Sequence, residues 1–436
     1  MDDSIFRTYD VRGVYGRDLN TETARCVARA FGKIVKKGVV IIGYDARISS
    51  PSLFRALQDE LRKNKKFSVW TIGMATTPMF YFAVNTHRAA GGIMVTASHN
   101  PKEWNGFKVV GKGARMIGGR EIGREVMRAR MQKKEWKKEK TRGTVIRKNV
   151  IPEYVDFLES YTKVKRPIRV IFDCGNGVAG IVLRKLIPRV KNIDAYFLFS
   201  NPNGRFPKRN PNPLASGALT PLARKVRDIG ADIGIAFDAD ADRVFFVDAK
   251  GRLIPSYAAM FLFLKVFKEP FVSEILMYHM LRSVGFSGKI FKTKVGTYFI
   301  KEKMRKENAS VAGEYSGHYY FRDFFFADSG ILAAMTLLSA LSNEEGSLGK
   351  FFDQLPSLFI NLVNIPLINL NIARIESILT AKAKKIDFTD GKTFIFKTSW
   401  INVRPANTEP LIRFFIAATT KKEMNALTRV IKSRTL

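Results

Sequence analysis

The first part of the chain alternates short apolar runs with segments whose apolar residues recur at helical spacing. Residues 39–43 and 67–72 are apolar runs typical of strands, and residues 52–63 between them have a helical pattern. Continuous rather than alternating apolar strands indicate a sheet that is covered on both faces. The pattern therefore predicts α/β layering.

The same alternation continues to about residue 360. A helix at 151–161 and strands at 168–172 and 232–237 predict a second α/β unit, and a third repeats these signals. After residue 361 the chain has β-rich runs and ends in a basic helix, which predicts an α+β unit. We therefore expect three similar α/β domains and a C-terminal α+β domain, with the boundaries 1–148, 149–251, 252–360 and 361–436.

Length and composition agree with several packed domains. The chain has 436 residues, which is too long for one ordinary core. Its hydrophobic share of 46% is enough for several packed cores. Its two cysteines, Cys26 and Cys174, lack metal-ligand spacing and favour a reducing compartment. The amino terminus has no signal-peptide pattern, and the apolar stretches are shorter than the roughly 20 residues of a membrane span. We expect a cytoplasmic protein.

The charge is unusual. Lys and Arg number 73 against 39 Asp and Glu, which gives a net charge of +34 and favours contact with polyanions. Residues 112–148, with a net charge of +10, predict a basic amphipathic helix and a connector. Glutamates interspersed there favour a solvated helix face over a nucleic-acid arm, and no nucleic-acid motif is recognised. Nucleic acid is not an expected partner.

A polar stretch at residues 96–101 follows the apolar run 92–95. The Asn100-Pro101 step forces a turn, so Ser98 is expected at the tip where a strand leaves the sheet. His99 beside it and Lys108 further on would suit either a nucleophile–base pair for acyl transfer or a serine that carries a phosphoryl group. No third member of a catalytic triad is evident.

Three alternate carboxylates, Asp238, Asp240 and Asp242, follow the apolar run 233–237. Such oxygens can converge on Mg²⁺, although bare acidic turns are also common. The preceding strand favours the metal, because α/β proteins bind ligands at the carboxyl ends of their strands. Arg243 adds a cation that can orient a carboxylate or a phosphate.

Two further loops carry polar groups. Residues 313–318 contain Glu314, Ser316 and His318, which suit either recognition of sugar hydroxyls or a simple polar turn. Residues 404–410, with Arg413 beyond them, form a plausible phosphate clamp that is weak evidence alone. For Asp45 and Arg47 we expect a structural ion pair.

Taken together, these motifs resemble the α-D-phosphohexomutase family, and within it the phosphomannomutase/phosphoglucomutase branch. The match runs from Tyr9 to Arg413 and keeps four diagnostic loops in family order. The resemblance implies mixed sheets, four domains around a central active-site cleft, and an isomerase of hexose 1- and 6-phosphates. It also implies Mg²⁺, a phosphoserine enzyme, a hexose 1,6-bisphosphate that acts as intermediate and activator, and a monomer or homodimer.

The resemblance assigns roles residue by residue. Ser98 is the phosphorylated residue, with Lys108, His99 and Arg12 as catalytic groups. Ser98 and the three aspartates Asp238, Asp240 and Asp242 would hold the metal. The substrate would be bound by Tyr9, Arg243, Lys294, Gly296, Glu314, Ser316, His318, Arg404, Ala406, Asn407, Thr408 and Arg413. Lys108 is expected to be deprotonated, as a base requires, because burial and the metal favour its neutral form.

The sequence departs from the family pattern at Ala239, Ala241, Thr297 and Tyr315. A positive φ at Ala239 would cost about 1 kcal/mol. Within the family the alternative is a phosphoglucosamine mutase, although Asn105 to Lys108 fit the mannose/glucose branch better. The alternatives from other classes are a basic nucleic-acid-binding protein and an inactive relative that binds phosphosugars.

Overall fold

A computed structural model of the chain describes residues 3–131, 142–343, 346–369, 371–406 and 411–433. The chain divides into two compact units, Met1–Pro255 with Ser316–Gly349, and Ser256–Tyr315 with Lys350–Leu436. Within the described ranges, no helix has the length and apolar character needed to cross a membrane.

The first unit begins with a mixed seven-stranded sheet. In spatial order its strands are Val11–Val14, Trp104–Gly111, Gly91–Val95, Gly38–Tyr44, Phe67–Met74 and Thr144–Arg147, with Met116–Ile117 paired to the second of them. Its helices are Thr21–Val35, Ser50–Leu61, Thr77–Thr86 and Gly119–Met131. The α/β layering is confirmed, and so is the basic helix; its connector at 132–141 lies outside the described residues.

A second mixed sheet follows in the same unit. Its strands, in order, are Leu253–Ile254, Val244–Asp248, Ile233–Phe237, Ile168–Asp173 and Ile193–Leu198. The helices that accompany this sheet are Ile151–Ser160, Ala179–Leu186 and Thr220–Asp228. The unit also contains the antiparallel strand pair Tyr319–Phe321 and Ala327–Asp328, followed by the helix Gly330–Asn343. The chain passes into the second unit within the helix Leu348–Gln354.

The second unit combines parallel and antiparallel strands. Phe271–Glu274 pairs in parallel with Ile290–Thr293 and Val311–Gly313, and an antiparallel sheet orders Phe359–Pro366, Leu411–Ala418, Ser399–Pro405, Lys392–Ile395 and Lys385–Asp387. The helices are Ser256–Val266, Ile275–Ser283, Thr297–Glu307, Ile372–Lys382 and Lys421–Lys432. An antiparallel sheet with two helices confirms the α+β character of the last part of the chain.

Parallel strands bring polar residues to one edge of the first sheet. Gly38–Tyr44 lies between and parallel to Phe67–Met74 and Gly91–Val95, so the residues that follow these strands share an edge. The helix Thr77–Thr86 starts there because the Thr76 hydroxyl accepts from the Met79 amide and proline occupies its first turn. Ser98 stands three residues beyond its strand, at the tip that the sequence predicts.

A buried histidine in the second unit makes its stability depend on pH. His279 is 7% exposed; its ring lies 5.4 Å from that of Trp400, and its Nε2 is 3.5 Å from Asp387. Burial lowers the pKa of His279 to about 4, against about 6.5 in the unfolded chain.

We expect the contribution of His279 to the free energy of unfolding to fall as the pH drops from about 6.5 to 4. The unfolded chain takes up a proton at His279 in that range and the folded chain does not, which costs up to about 3 kcal/mol. Urea unfolding at a series of pH values gives the free energy of unfolding of the parent protein and of His279→Gln. Between about pH 6.5 and 4 the parent protein should lose stability relative to the variant. The same dependence of the free energy of unfolding on pH in the variant and the parent protein would contradict the expectation.

Candidate active site

Two loops of the first unit come together: the serine loop, residues 96–101, and the aspartate loop, residues 238–243. The Ser98 hydroxyl donates to Oδ2 of Asp238 at 2.8 Å and lies 3.4 Å from Oδ1 of Asp242. Ser98 is 2% exposed, and both aspartates are fully buried. Residues about 140 positions apart in sequence thus form one polar cluster.

Both loops contain a residue with left-handed backbone. Ser98 has φ +48° and Ala241 has φ +59°, conformations that cost a non-glycine residue of the order of 1 kcal/mol. The amide of Ser98 donates to the Thr96 hydroxyl at 2.8 Å, which helps to hold the turn. The sequence raised the possibility of strain at Ala239, but this is wrong: the positive φ lies at Ala241.

The three aspartates Asp238, Asp240 and Asp242 are completely buried, and each places a carboxylate oxygen within 4.8 Å of the others. Burial and the carboxylates of Asp242 and Asp240 raise the pKa of Asp238 well above its usual value. Among the described residues, the buried Oδ1 of Asp240 has no hydrogen-bond partner. These carboxylates repel each other, and one of their oxygen atoms has no hydrogen-bond partner. Such hard oxygen ligands suit a divalent cation, so the aspartate loop could hold one.

Replacing Asp238 with asparagine should therefore stabilise the protein in the presence of a chelator. Asparagine can keep the contacts to Ser98 and to the amide of Arg243, which donates to Oδ1 at 3.2 Å. Removing one of three mutually repelling charges should raise the free energy of unfolding by about 1–3 kcal/mol. Thermal unfolding with EDTA tests this, and equal or lower stability of the variant would contradict it.

Lys108 lies between two of these carboxylates. Its Nζ is 3.2 Å from Oδ2 of Asp240 and also contacts Oδ2 of Asp242. Burial lowers the pKa of Lys108, but the two aspartates outweigh this and raise it well above its usual value. Without a bound metal these negative charges favour the ammonium form; the neutral amine, which a metal would favour, stays a prediction.

The other predicted catalytic groups surround the serine loop. Nδ1 of His99 is 3.4 Å from the Ser98 hydroxyl, and burial together with the guanidinium groups of Arg243 and Arg12 lowers the pKa of His99 well below its usual value. Arg12 forms an ion pair with Asp10 and donates to Oδ1 of Asn100 at 2.6 Å. His99 is therefore neutral at pH 7 and Arg12 is tied to the serine loop.

His318 and Ser316, predicted to read a sugar, lie near the aspartate loop in the first unit. Nδ1 of His318 is 3.0 Å from the Ser316 hydroxyl. Its Nε2 is 3.4 Å from Nε of Arg243 and 3.4 Å from Oδ1 of Asp242. Tyr9 lies half-buried just before the strand Val11–Val14.

The sequence did not single out Thr77, which is fixed to the aspartate loop. Its hydroxyl donates to Oδ2 of Asp240 at 2.6 Å, and its amide donates to the Asp240 carbonyl at 2.9 Å. The Thr96 hydroxyl lies 3.3 Å from the same carboxylate oxygen. A hydroxyl three residues after the carboxyl end of the parallel strand Phe67–Met74 was the signal that could have identified Thr77.

In the second unit, Lys294 and Gly296 precede the helix Thr297–Glu307. Gly296 has φ +125° and is its N-cap residue, so the amide groups of the first helical turn lie at this end, as at many anion sites. Glu314 is buried next to Tyr315, whose amide donates to the fully buried Glu274 at 3.0 Å. Burial and the charge of Glu314 raise the pKa of Glu274 to about 7.

Two arginines lie directly opposite each other in the antiparallel sheet of the second unit. Arg404 on the strand Ser399–Pro405 is the cross-strand partner of Arg413 on Leu411–Ala418. Asp390 is 3.8 Å from Arg404, and the Ala406 amide donates to the Leu411 carbonyl at 2.9 Å. Paired like charges are unfavourable, which suits an anion-binding site; Asn407 and Thr408 lie outside the described residues.

Four family profiles match the chain in order. They are described as phosphoglucomutase/phosphomannomutase alpha/beta/alpha domains I, II and III and the C-terminal domain, and match residues 3–136, 152–251, 265–359 and 362–432. The chain belongs to the phosphoglucomutase/phosphomannomutase family. As a member of this family it has a four-domain α/β architecture with mixed sheets and is a phosphohexomutase, an isomerase.

Individual relatives match this family member over nearly its whole length. A phosphomannomutase of Salmonella typhimurium is 35% identical over 94% of each chain. A phosphomannomutase/phosphoglucomutase of Pseudomonas syringae is 32% identical and covers 98% of this chain and 94% of its own. The crystal structure of a phosphoglucomutase/phosphomannomutase family protein from Burkholderia thailandensis has a TM-score of 0.87 at 28% identity, over 100% of this chain and 98% of the other.

Proposed function

We propose that the chain interconverts hexose 1-phosphates and hexose 6-phosphates, with mannose or glucose as the sugar, through a phosphorylated Ser98 and a hexose 1,6-bisphosphate. The observation that carries this proposal is the Ser98 hydroxyl, 2.8 Å from Asp238 in a buried cluster with two further carboxylates and Lys108. The choice of sugar is supported by relatives described as phosphomannomutases and phosphomannomutase/phosphoglucomutases.

The aspartate loop would hold Mg²⁺ through Asp238, Asp240 and Asp242, with an oxygen of phosphorylated Ser98 as a further ligand. The ion would neutralise charge on the phosphoryl group during transfer. A phosphoserine of about −2 together with three carboxylates is a large buried negative charge. Lys108 and Arg243 supply positive charge at its edge, since Lys108 contacts Asp242 and Arg243 lies 3.9 Å from Asp238.

Proton movement is assigned to Nζ of Lys108. The sugar hydroxyl that attacks the phosphoryl group must lose a proton, and the oxygen of Ser98 must regain one when the bond to phosphorus breaks. Lys108 is the buried ammonium nearest to the aspartate loop among the described residues, so it can donate one proton and accept the other in turn. Neutral His99, 3.4 Å from the Ser98 hydroxyl, and Arg12 support the serine loop.

The remaining predicted residues would bind the sugar phosphate. Glu314 and Ser316, with His318, would accept and donate hydrogen bonds to sugar hydroxyls. The non-reacting phosphate would be bound by the loop of Arg404, Ala406, Asn407 and Thr408 with Arg413, and by Lys294 and Gly296 at a helix N-terminus; Tyr9 is an additional contact. We also propose that the protein is a cytoplasmic monomer or homodimer, in line with its sequence.

Turnover by the purified protein tests the proposed function. With Mg²⁺ and a trace of glucose 1,6-bisphosphate, we expect mannose 1-phosphate and glucose 1-phosphate to be converted to their 6-phosphates. Each can be followed by a coupled assay beside glucosamine 1-phosphate. Turnover of glucosamine 1-phosphate alone would overturn the proposed sugar, and no turnover of any of the three would overturn the mutase reaction.

A further inference from the structure

One buried arginine binds the backbone of the serine loop from outside it. Arg47 is 1% exposed. Its Nη2 donates to the carbonyls of Ser98 at 2.6 Å and Asn100 at 2.7 Å, and its Nη1 to those of Pro101 at 2.6 Å and Trp104 at 3.0 Å. A single side chain, 51 residues before Ser98, therefore binds four carbonyls between Ser98 and Trp104.

Asp45 fixes the direction of this guanidinium. Nε of Arg47 donates to Oδ2 of the fully buried Asp45 at 3.0 Å. The same carboxylate oxygen accepts from the Thr96 hydroxyl at 2.8 Å. A buried charge is tolerated when it is paired and fully hydrogen-bonded, and this pair meets that condition by binding the serine loop. The predicted ion pair is confirmed, with a wider set of contacts than the sequence indicates.

A second buried arginine binds the start of the aspartate loop in the same way. Nε of Arg209 donates to both carboxylate oxygens of Asp173 at 2.9 Å, and its Nη2 donates to the Phe237 carbonyl at 2.6 Å. Phe237 directly precedes Asp238. Gly175 makes room for this side chain, because a Cβ there would lie 2.4 Å from the Arg209 guanidinium carbon.

The segment 203–209 links the two arginines. Its Phe206 ring lies over Arg47, 5.5 Å from the guanidinium carbon to the ring centroid, and Arg209 stands at its other end. Gly204 is packed so closely on the backbone after Asp45 that a Cβ would lie 2.4 Å from the Ala46 carbonyl oxygen. The segment is anchored at its start by the Asn203 amide, which donates to the Asn176 carbonyl at 2.8 Å.

We propose that the segment 203–209 is a strap that holds the serine loop and the aspartate loop at their working distance, with Arg47 and Arg209 as positioning residues. Neither arginine donates to a reacting atom; each acts through loop carbonyls. The kinetic consequence rests on the proposed function, because it assumes phosphoryl transfer at Ser98. The structural consequence, a serine loop whose backbone loosens when the strap is weakened, does not depend on it.

Three conservative variants test the strap: Arg47→Lys, Arg209→Lys and Phe206→Leu. Lysine keeps the charge but cannot bind several carbonyls as the planar guanidinium does, and leucine keeps an apolar side chain without a ring. The control is Arg169→Met, which removes an arginine that pairs with Asp194 at 2.7 Å on the exposed end of a strand. Circular dichroism selects the variants that fold.

In the folded variants we expect faster hydrogen exchange of the Ser98, His99 and Asn100 amides, by about 10-fold, measured by mass spectrometry of a peptide covering the loop. We expect kcat to fall about 100-fold with KM nearly unchanged, because a misplacement of about 1 Å at reacting groups has such an effect. Arg169→Met should match the parent protein in both measurements.

If the backbone amides of the serine loop exchange hydrogen at the parent rate in all folded variants, the proposed role of the strap is overturned. A wild-type kcat in these variants would overturn it as well, since a purely structural arginine changes stability and not turnover of the folded enzyme. Failure of the proposed function would look different: the parent protein itself would show no turnover, while the exchange measurement would still report on the strap.

Discussion

Ser98→Ala should lose turnover by about 10³-fold or more, because it removes the hydroxyl that contacts Asp238 and Asp242 and is proposed to carry the phosphoryl group. After incubation with glucose 1,6-bisphosphate, the intact parent protein should gain the mass of one phosphoryl group, and the variant should gain none. The alanine keeps the left-handed backbone strain and removes only one hydrogen bond, so the variant should unfold within about 1 kcal/mol of the parent.

The control for this measurement is Ser52→Ala. Ser52 lies on the helix Ser50–Leu61 and its hydroxyl donates to the Ser49 carbonyl at 2.8 Å, so its loss changes a serine outside the cluster. This control should gain the phosphoryl mass and keep its turnover. A parent protein that turns over substrate without ever gaining this mass would contradict the role of Ser98, as would a Ser98→Ala variant that gains it.

Lys108→Met should change both activity and stability. Turnover should fall by about 10²–10⁴-fold, the usual contribution of a positioned acid or base. Stability should fall by about 3–5 kcal/mol, because the buried carboxylates of Asp240 and Asp242 lose their cation. Millimolar Mg²⁺ should restore the unfolding temperature of this variant but not its turnover.

Lys112→Met is the matched control, since Lys112 is exposed in the turn that follows the strand of Lys108. Its turnover and its response to Mg²⁺ should equal those of the parent protein. Full turnover by Lys108→Met would remove Lys108 from the mechanism. A loss of turnover that Mg²⁺ reverses together with stability would assign Lys108 a role in charge balance alone.

The sequence predicts the position of the chemistry well because strand ends are local features. An apolar run followed by a turn fixes where Ser98 and Asp238 stand relative to their strands, and parallel strands present such residues at one edge. The ion pair of Asp45 and Arg47 was also foreseeable, since an acid and a base two residues apart follow the same strand.

The reach of long side chains could not be predicted in this way. Arg47 binds carbonyls about 50 residues away, and Arg209 binds Asp173 from 36 residues away, so neither contact leaves a pattern in the sequence. The charges around Lys108 could not be predicted either, because only the packed structure shows how close the two carboxylates lie. Backbone strain at Ala241 rather than Ala239 is likewise set by the turn as a whole.

The opposed arginines of the second unit have a practical consequence for assays. Arg404 and Arg413 are cross-strand partners, and two like charges in that position favour a small dianion bound between them, whether or not it carries a sugar. Inorganic phosphate and sulfate should therefore compete with substrate, raising the apparent KM while leaving kcat unchanged. The concentration of free phosphate around the enzyme, through simple competition, would then set how much hexose phosphate is needed to occupy it.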